Sequence, residues 1–253
     1  MLNTTELYYF SPTGGTKKAG QILGEAVAKE VTEVDLGNRE APVPQPESGL
    51  VIAAAPVFGG RIPGIVSEKL KKLAGKGKKA VTLVVYGNRA YEDALLELNR
   101  CMEAQGFQIL ASAALVARHS IVPEVAAGRP DPADREEIRE FSRKVLEKWE
   151  QGVQDAVTVP GNYPYKKEMQ VPMPPISLSN CNQCGACEKI CPAGAIRIRN
   201  GAVETDAGRC MLCMACTAVC KRKARVLPPA LQEQMTQKLG ALRNIRKENE
   251  FFL

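Results

Sequence analysis

The sequence predicts an α/β domain on a doubly wound parallel sheet, followed by a small cysteine-rich α+β unit. Three observations carry that fold class. Short β-branched or aromatic runs alternate with amphipathic stretches over the first 150 residues, a proline-rich break follows, and eight of the nine cysteines fall between Cys181 and Cys220. Strand and helix patterns in alternation are what a parallel sheet with crossover helices requires.

The strand candidates are ELYYF (6–10), VTEVDL (31–36), LVIAAA (50–55), AVTLVVY (80–86) and FQILASAALVA (107–117). Helix patterns lie between them at about 16–30, 64–74 and 91–105, and a long charged one at 134–151 begins after RPDPAD. Five strands with covering helices fit a doubly wound sheet, which makes 1–156 the first domain. Pro160, Pro164, Pro172, Pro174 and Pro175 then remove amide donors and fix φ, so 157–175 reads as an extended linker. Residues 176–228 form the cysteine-rich unit. Residues 229–253 read as a helical tail with Leu231, Met235, Leu239 and Leu242 on one face, packed against one of the domains.

At 253 residues, 45% hydrophobic and 25% charged, the chain can bury one sizeable core plus a smaller one. No stretch approaches the ~20 apolar residues of a membrane span. The opening MLNTTELYYFSPTGG lacks the layout of a signal peptide, so a soluble cytoplasmic chain without a membrane partner is expected. Clustered cysteines point to metal rather than disulfides. Residues 1–175 carry 22 basic and 22 acidic side chains, 176–228 carry 8 and 3, and 229–253 carry 4 and 3. The net charge of +6 is therefore concentrated in the cysteine-rich unit.

The cysteines form two runs, Cys181-Asn-Gln-Cys184-Gly-Ala-Cys187-Glu-Lys-Ile-Cys191-Pro192 and Cys210-Met-Leu-Cys213-Met-Ala-Cys216-Thr-Ala-Val-Cys220. Both have the C-x₂-C-x₂-C-x₃-C spacing of [4Fe-4S] sites, in which three thiolates on a tight loop hold one cluster and the fourth points to the other. Ligation then crosses over: Cys181, Cys184, Cys187 and Cys220 hold one cluster, and Cys191, Cys210, Cys213 and Cys216 the other. The competing reading is a pair of Cys₄ zinc sites, but those usually pair two C-x₂-C knuckles across a longer gap. The segment resembles the bacterial two-cluster ferredoxin domain over 176–228, with one departure, Lys221 where a proline is usual.

Lys221-Arg222-Lys223-Ala224-Arg225 is open to three readings: a solvated face, a docking site for an acidic redox partner, or a nucleic-acid contact. No aromatic residues interleave with it, so no nucleic-acid partner is expected.

Directly after the first strand stands Ser11-Pro12-Thr13-Gly14-Gly15-Thr16-Lys17-Lys18, leading into a helix. Free amides at a helix N-terminus and the hydroxyls of Ser11, Thr13 and Thr16 can converge on a phosphate. The pattern lacks the G-x-x-x-x-G-K-[ST] of nucleotide triphosphatases. It is similar to the phosphate loop of flavodoxins, a resemblance that spans about residues 1–150 and implies FMN and a sheet in the order 2-1-3-4-5. The resemblance makes Ser11, Thr13, Gly14, Gly15, Thr16 and Lys17 the phosphate loop. It makes the loops after strands three and four, with Pro56, Val57, Phe58, Gly59 and Gly60 and with Gly87, Asn88, Arg89, Tyr91 and Asp93, the flanks of the flavin ring. Phe58 or Tyr91 would stack on the ring while the glycines let backbone approach its edge.

Together the halves resemble flavodoxin–ferredoxin fusion proteins, the iron–sulfur flavoproteins of anaerobic metabolism. Within that family Arg118-His119-Ser120 is similar to an element near the flavin, and His119, the single histidine, is the candidate proton donor. Cys101 falls on an apolar helical face with Leu95 and Leu98, which suits burial. Gly75-Lys76-Gly77-Lys78-Lys79-Ala80 fits G-x-G-x-x-A but precedes a strand, so it is a turn and not a nicotinamide site. The expected function is an oxidoreductase that relays single electrons through two [4Fe-4S] clusters to or from FMN. It would have a low-potential redox partner protein and a small-molecule substrate. The alternative is a pure electron carrier, in which aromatic residues cover the flavin. A homodimer offers a second route if the domains of one chain stand too far apart.

Overall fold

The computed structural model describes residues 1–253 apart from 154 and 172, so Pro172 of the linker lies outside the described residues. The first strand, β1 (Leu2–Tyr9), opens into α1 (Gly15–Val27), and β2 (Ala28–Asp35) follows directly. Then come β3 (Leu50–Pro56), α2 (Gly64–Leu70), β4 (Lys79–Tyr86), α3 (Ala94–Glu103), β5 (Gln108–Val116) and α4 (Pro132–Glu150). These five strands pair in parallel in the order β2-β1-β3-β4-β5, the flavodoxin-like order.

Successive strand residues face opposite ways, and both faces of this sheet are covered. Leu7, Ile52, Leu83 and Leu115 pack with Leu23 of α1 and with Ile138, Phe141 and Val145 of α4. Tyr8, Val51, Val84 and Val116 pack with Val66 and Leu70 of α2 and with Leu95, Leu98 and Met102 of α3. Leu23 and Leu98 are fully buried, so cutting either back to alanine should cost about 2–5 kcal/mol. Helix α4 starts sharply because Asp131 and Asp134 form a reciprocal capping box with Pro132 at the first turn.

The described residues of 157–175 form no helix or strand, and most are exposed, but the segment is tied to the sheet domain at several points. The Asp93 carboxylate accepts from the amides of Asn162 and Lys166, both at 2.8 Å, and the Arg61 guanidinium lies over the Tyr165 ring.

In the cysteine-rich unit, β6 (Ile176–Ser177) pairs with β9 (Arg225–Val226), and β7 (Ile196–Arg199) pairs with β8 (Ala202–Thr205). Two short helices, α5 (Ala186–Ile190) and α6 (Ala215–Ala218), overlap the third cysteine of each run. The two runs repeat each other in backbone as well as in spacing. Gln183 and Leu212 have φ 57° and 55°, and Gly185 and Met214 have φ 79° and 66°.

The tail departs from the all-helical expectation. Only α7 (Pro229–Gly240) is α-helical, a 3₁₀ turn covers Ala241–Asn244, and Glu250–Phe252 forms a strand, β10, antiparallel to β5 at the sheet edge. A strand wins here because adjacent side chains on it face opposite ways, and each phenylalanine finds a core waiting. Phe251 packs on Phe141 with ring centroids 4.8 Å apart, and Phe252 joins the opposite layer. The tail also spans the two units. Leu231 packs with Leu212, Met214 and Leu227 of the cysteine-rich unit, whereas Leu239 packs with Val122 and Val125 of the loop after β5.

Candidate functional site

The eight clustered cysteines line two cavities. Cys181, Cys184, Cys187 and Cys220 face one of 440 Å³, and Cys191, Cys210, Cys213 and Cys216 face the other. The fourth cysteine of each run therefore looks into the cavity of the other run. After it the chain makes the same turn twice: the amides of Gly194 and Lys223 donate to the carbonyls of Cys191 and Cys220, both at 3.0 Å. One residue on, the amides of Ala195 and Ala224 donate to the Sγ atoms of Cys191 and Cys220, both at 3.2 Å. Lys223 holds φ 55° where the first run has Gly194 at φ 57°. Lys221 in place of proline thus leaves the local geometry unchanged.

Burial pushes the Cys213 thiol up to about 12. Burial also acts on Cys220, but the amides of Arg225, Ala224, Arg222 and Lys223 outweigh it and hold this thiol below its ordinary value. Four sulfurs without a carboxylate or imidazole form the donor set of an iron–sulfur cluster, and the 440 Å³ cavity beside Cys181, Cys184, Cys187 and Cys220 has room for one. Among the described residues, no three His, Cys, Asp or Glu side chains converge as ligands of a single ion.

A third cavity, of 370 Å³, lies where the sheet domain, linker, tail and cysteine-rich unit meet. Val57, Phe58, Gly87, Arg89 and His119 contribute from the loops after β3, β4 and β5. Lys167 and Met169 come from the linker, Lys238 and Leu239 from α7, and Leu212 from between two cysteines of the second run. Those cavity residues from beyond position 160 escape sequence reasoning, because no local pattern marks them; only the apolar face of the tail helix hinted at contact.

His119 is held neutral. Burial, then the nearby charge of Arg89, push it down to about 4, and its Nδ1 accepts from the amides of Ile121 and Val122, both at 3.1 Å. The ring proton therefore sits on Nε2. With its proton on Nε2, the ring offers the cavity a hydrogen-bond donor. Tyr86, also on the cavity wall, is pushed up to about 12 by burial first and then by Glu250.

The phosphate-loop candidates sit at the N-terminus of α1. Gly14 takes φ 92°, its amide donates to the Ser11 carbonyl at 3.4 Å, and the Lys17 amide donates to Ser11 Oγ at 2.9 Å. The amides of Gly15 and Thr16 have no acceptor among the described residues, which fits an anion-binding helix start. The loop stands beside the others: Phe10, just before it, meets Phe58 edge-on at 6.3 Å, and a side chain at Gly15 would touch Ala117. The Lys17 ammonium, in contrast, turns to Glu33 on β2 at 2.6 Å.

Several residues expected around the flavin are engaged elsewhere. Asn88 is fully buried and bonded to the tail, Tyr91 donates its hydroxyl to Glu250 at 2.7 Å, and Asp93 holds the linker. Tyr91 packs against Tyr86 inside the domain, so it does not stand over the cavity. The expected glycines also serve the protein itself: a side chain at Gly59 would strike Met169, one at Gly60 would strike Glu92, and one at Gly87 would strike the His119 ring. Pro56 is the last residue of β3. Cys101 packs against the core on α3, where burial raises its thiol. The Gly75–Ala80 segment is a turn into β4, and its Lys78 amide closes on the Gly75 carbonyl.

Residues 180–225 match the family model described as a 4Fe-4S dicluster domain. Over 44 residues the chain is 50% identical to a subunit of the ion-translocating oxidoreductase complex of Methanosarcina acetivorans. Over 51 residues it is 39% identical to the DNA-directed RNA polymerase subunit Rpo3 of Methanosarcina mazei. These matches cover 17% and 19% of this chain and the same shares of the two relatives, so the chain spans under a fifth of the curated relatives it matches. Among solved structures, rubredoxin oxygen:oxidoreductase from Desulfovibrio gigas is similar at 19% identity and TM-score 0.42, over 58% of this chain and 37% of that one. Flavodoxin 1 from Bacillus cereus is similar at 12% identity and TM-score 0.40, over 57% of this chain and 98% of that one. The fold assignment rests on the strand order rather than on these likenesses. Among the described residues no helix is long and apolar enough to cross a membrane. A flavodoxin-like parallel sheet is joined in this chain to a 4Fe-4S dicluster domain, the layout of a flavodoxin–ferredoxin fusion.

Proposed function

We propose that the chain is an oxidoreductase that holds two [4Fe-4S] clusters and FMN, takes single electrons from a protein partner and reduces a small molecule. One observation carries the proposal: Leu212, between two cysteines of the second run, lines the same cavity as Phe58, Gly87 and His119 of the sheet domain. When bound, the clusters and flavin supply exchange between one- and two-electron transfer.

In this reading Cys181, Cys184, Cys187 and Cys220 hold the outer cluster, where Cys184 is exposed and Lys221, Arg222 and Lys223 offer a basic surface to an acidic partner. Cys191, Cys210, Cys213 and Cys216 hold the inner one, since Met211 and Cys213 pack against the sheet core. The amides and hydroxyls of the Ser11–Thr16 loop hold the FMN phosphate. Val57 and Phe58 border the ring, and His119 presents Nε2–H to it or to the substrate. Lys167 and Lys238 line the cavity without a carboxylate beside them on its wall, which favours a substrate with an acidic group. A carrier without a substrate needs aromatic cover over the flavin; Tyr91 is turned inward, which leaves Phe58 as the one of the two expected aromatic residues on the cavity wall.

Anaerobic purification followed by metal, sulfide and flavin analysis tests the reading. About eight irons and one FMN per chain are expected. Two zincs without flavin would refute it.

A further inference from the structure

Arg225 closes the basic run, but it does not share its neighbours' surroundings. Lys221, Arg222 and Lys223 are exposed, whereas Arg225 is 3% exposed and sits on β9, pinned against β6. Its Nη1 donates to Ser177 Oγ at 3.0 Å and its Nη2 to Thr205 Oγ1 at 2.8 Å, while its Nε is buried with no acceptor. Among the described residues no carboxylate pairs with it, although Arg129, the other buried arginine, is paired with Asp134. A guanidinium keeps its charge under all ordinary conditions, and burying it unpaired is costly. Some negative group must offset it in the working protein.

The cysteines are the groups at hand. Arg225 lines the cavity of Cys181, Cys184, Cys187 and Cys220. Thr205, which accepts from its Nη2, lines the cavity of Cys191, Cys210, Cys213 and Cys216. One cation thus stands between the two sulfur sites, screened from water and with a donor to spare.

We infer that Arg225 is the shared counter-ion of the two clusters, raising both reduction potentials and donating its free Nε–H to a cluster sulfur. The inference rests on the iron–sulfur reading above. Each cluster gains one electron, and hence one negative charge, from an external reductant such as dithionite. A fixed buried cation favours that reduced state at both sites. The exposed lysines act through water and salt and matter less.

The test is a dithionite titration followed by electron paramagnetic resonance, with iron counted in the same samples. Arg225→Gln with eight irons per chain should shift both midpoints to more negative values, and Arg225→Lys should shift them less. Lys221→Gln serves as the exposed control and should leave them nearly in place. Wild-type midpoints in a fully loaded Arg225→Gln chain overturn the inference, as does an equal shift in Lys221→Gln. If Arg225→Gln comes out without iron, Arg225→Lys decides. A loaded Lys variant supports the counter-ion, and an equally empty one overturns it, because the charge alone should suffice. A wild-type chain without iron sinks the cluster reading itself, a separate result.

Discussion

Asn88 and Ile245 are 157 residues apart in sequence and joined side chain to backbone: Asn88 Nδ2 donates to the Ile245 carbonyl at 2.7 Å. The same amide reaches the Leu242 carbonyl at 3.2 Å, and Asn88 Oδ1 accepts from the Lys247 amide at 3.3 Å. A residue expected to face a flavin is thus the clasp that holds the tail over the ends of β4 and β5.

Asn88→Ala should therefore act on stability before it acts on any cofactor. It leaves two carbonyls and one amide of the tail without their partner, a loss of about 1–3 kcal/mol. Urea unfolding with hydrogen exchange should show lower stability and faster exchange across 242–252. A drop in FMN affinity with an unchanged tail would instead return Asn88 to the flavin.

Arg129 and Asp134 form a buried pair that Arg246 and Asn249 of the tail also join. Asp134→Ala strands the arginine, so a loss of about 3–5 kcal/mol is expected in chemical denaturation. Asp131 is held well below the usual carboxylate range, first by Arg246 and then by backbone amides. Burial works to raise Asp134, but Arg129 and the Asp131 amide win and lower it. A depressed folded value means stability that is present above the unfolded pKa of about 3.9 and lost as pH falls below it. Melting temperatures should drop steeply below about pH 4, and Asp131→Asn should flatten that drop.

The single histidine gives a separate window. Because His119 is lowered to about 4, the unfolded chain binds a proton between its ordinary value near 6.5 and that pH while the folded chain does not. Stability should be full above about pH 6.5 and decline as pH falls toward 4. His119→Asn should remove that slope. The His119 ring signal in proton NMR should titrate near 4, and a midpoint near 6.5 would contradict the half-buried, neutral ring.

The tail decides how the two units meet. Leu239 is 2% exposed among Val122 and Val125, and cutting it to alanine should cost about 2–5 kcal/mol. Under the proposed function, stopped-flow reduction of the flavin should slow in Leu239→Asp at unchanged iron and flavin content. In the wild type that rate should not depend on protein concentration, because Leu212 and His119 of one chain share a cavity. A rate that rises with concentration would point to transfer between subunits, as in a homodimer.

Much of this was legible in order along the chain. The alternation of apolar runs marks five strands because strand and helix periods are local, and the cysteine spacing marks two sites because each loop places its own three sulfurs. Even the absent proline at Lys221 changed nothing, since the turn there is closed by backbone amides that any residue but proline supplies. The roles of Asn88, Tyr91, Asp93 and Arg225 were not legible. Each is a polar residue in a plausible motif, and what it bonds to arrives from 20 to 159 positions away. The sequence by itself determined the five parallel strands, their covering helices and the two sets of sulfurs. Only the tertiary structure decided which polar groups remain for a cofactor, because a buried donor or acceptor must find a partner and takes the one that packing brings to it.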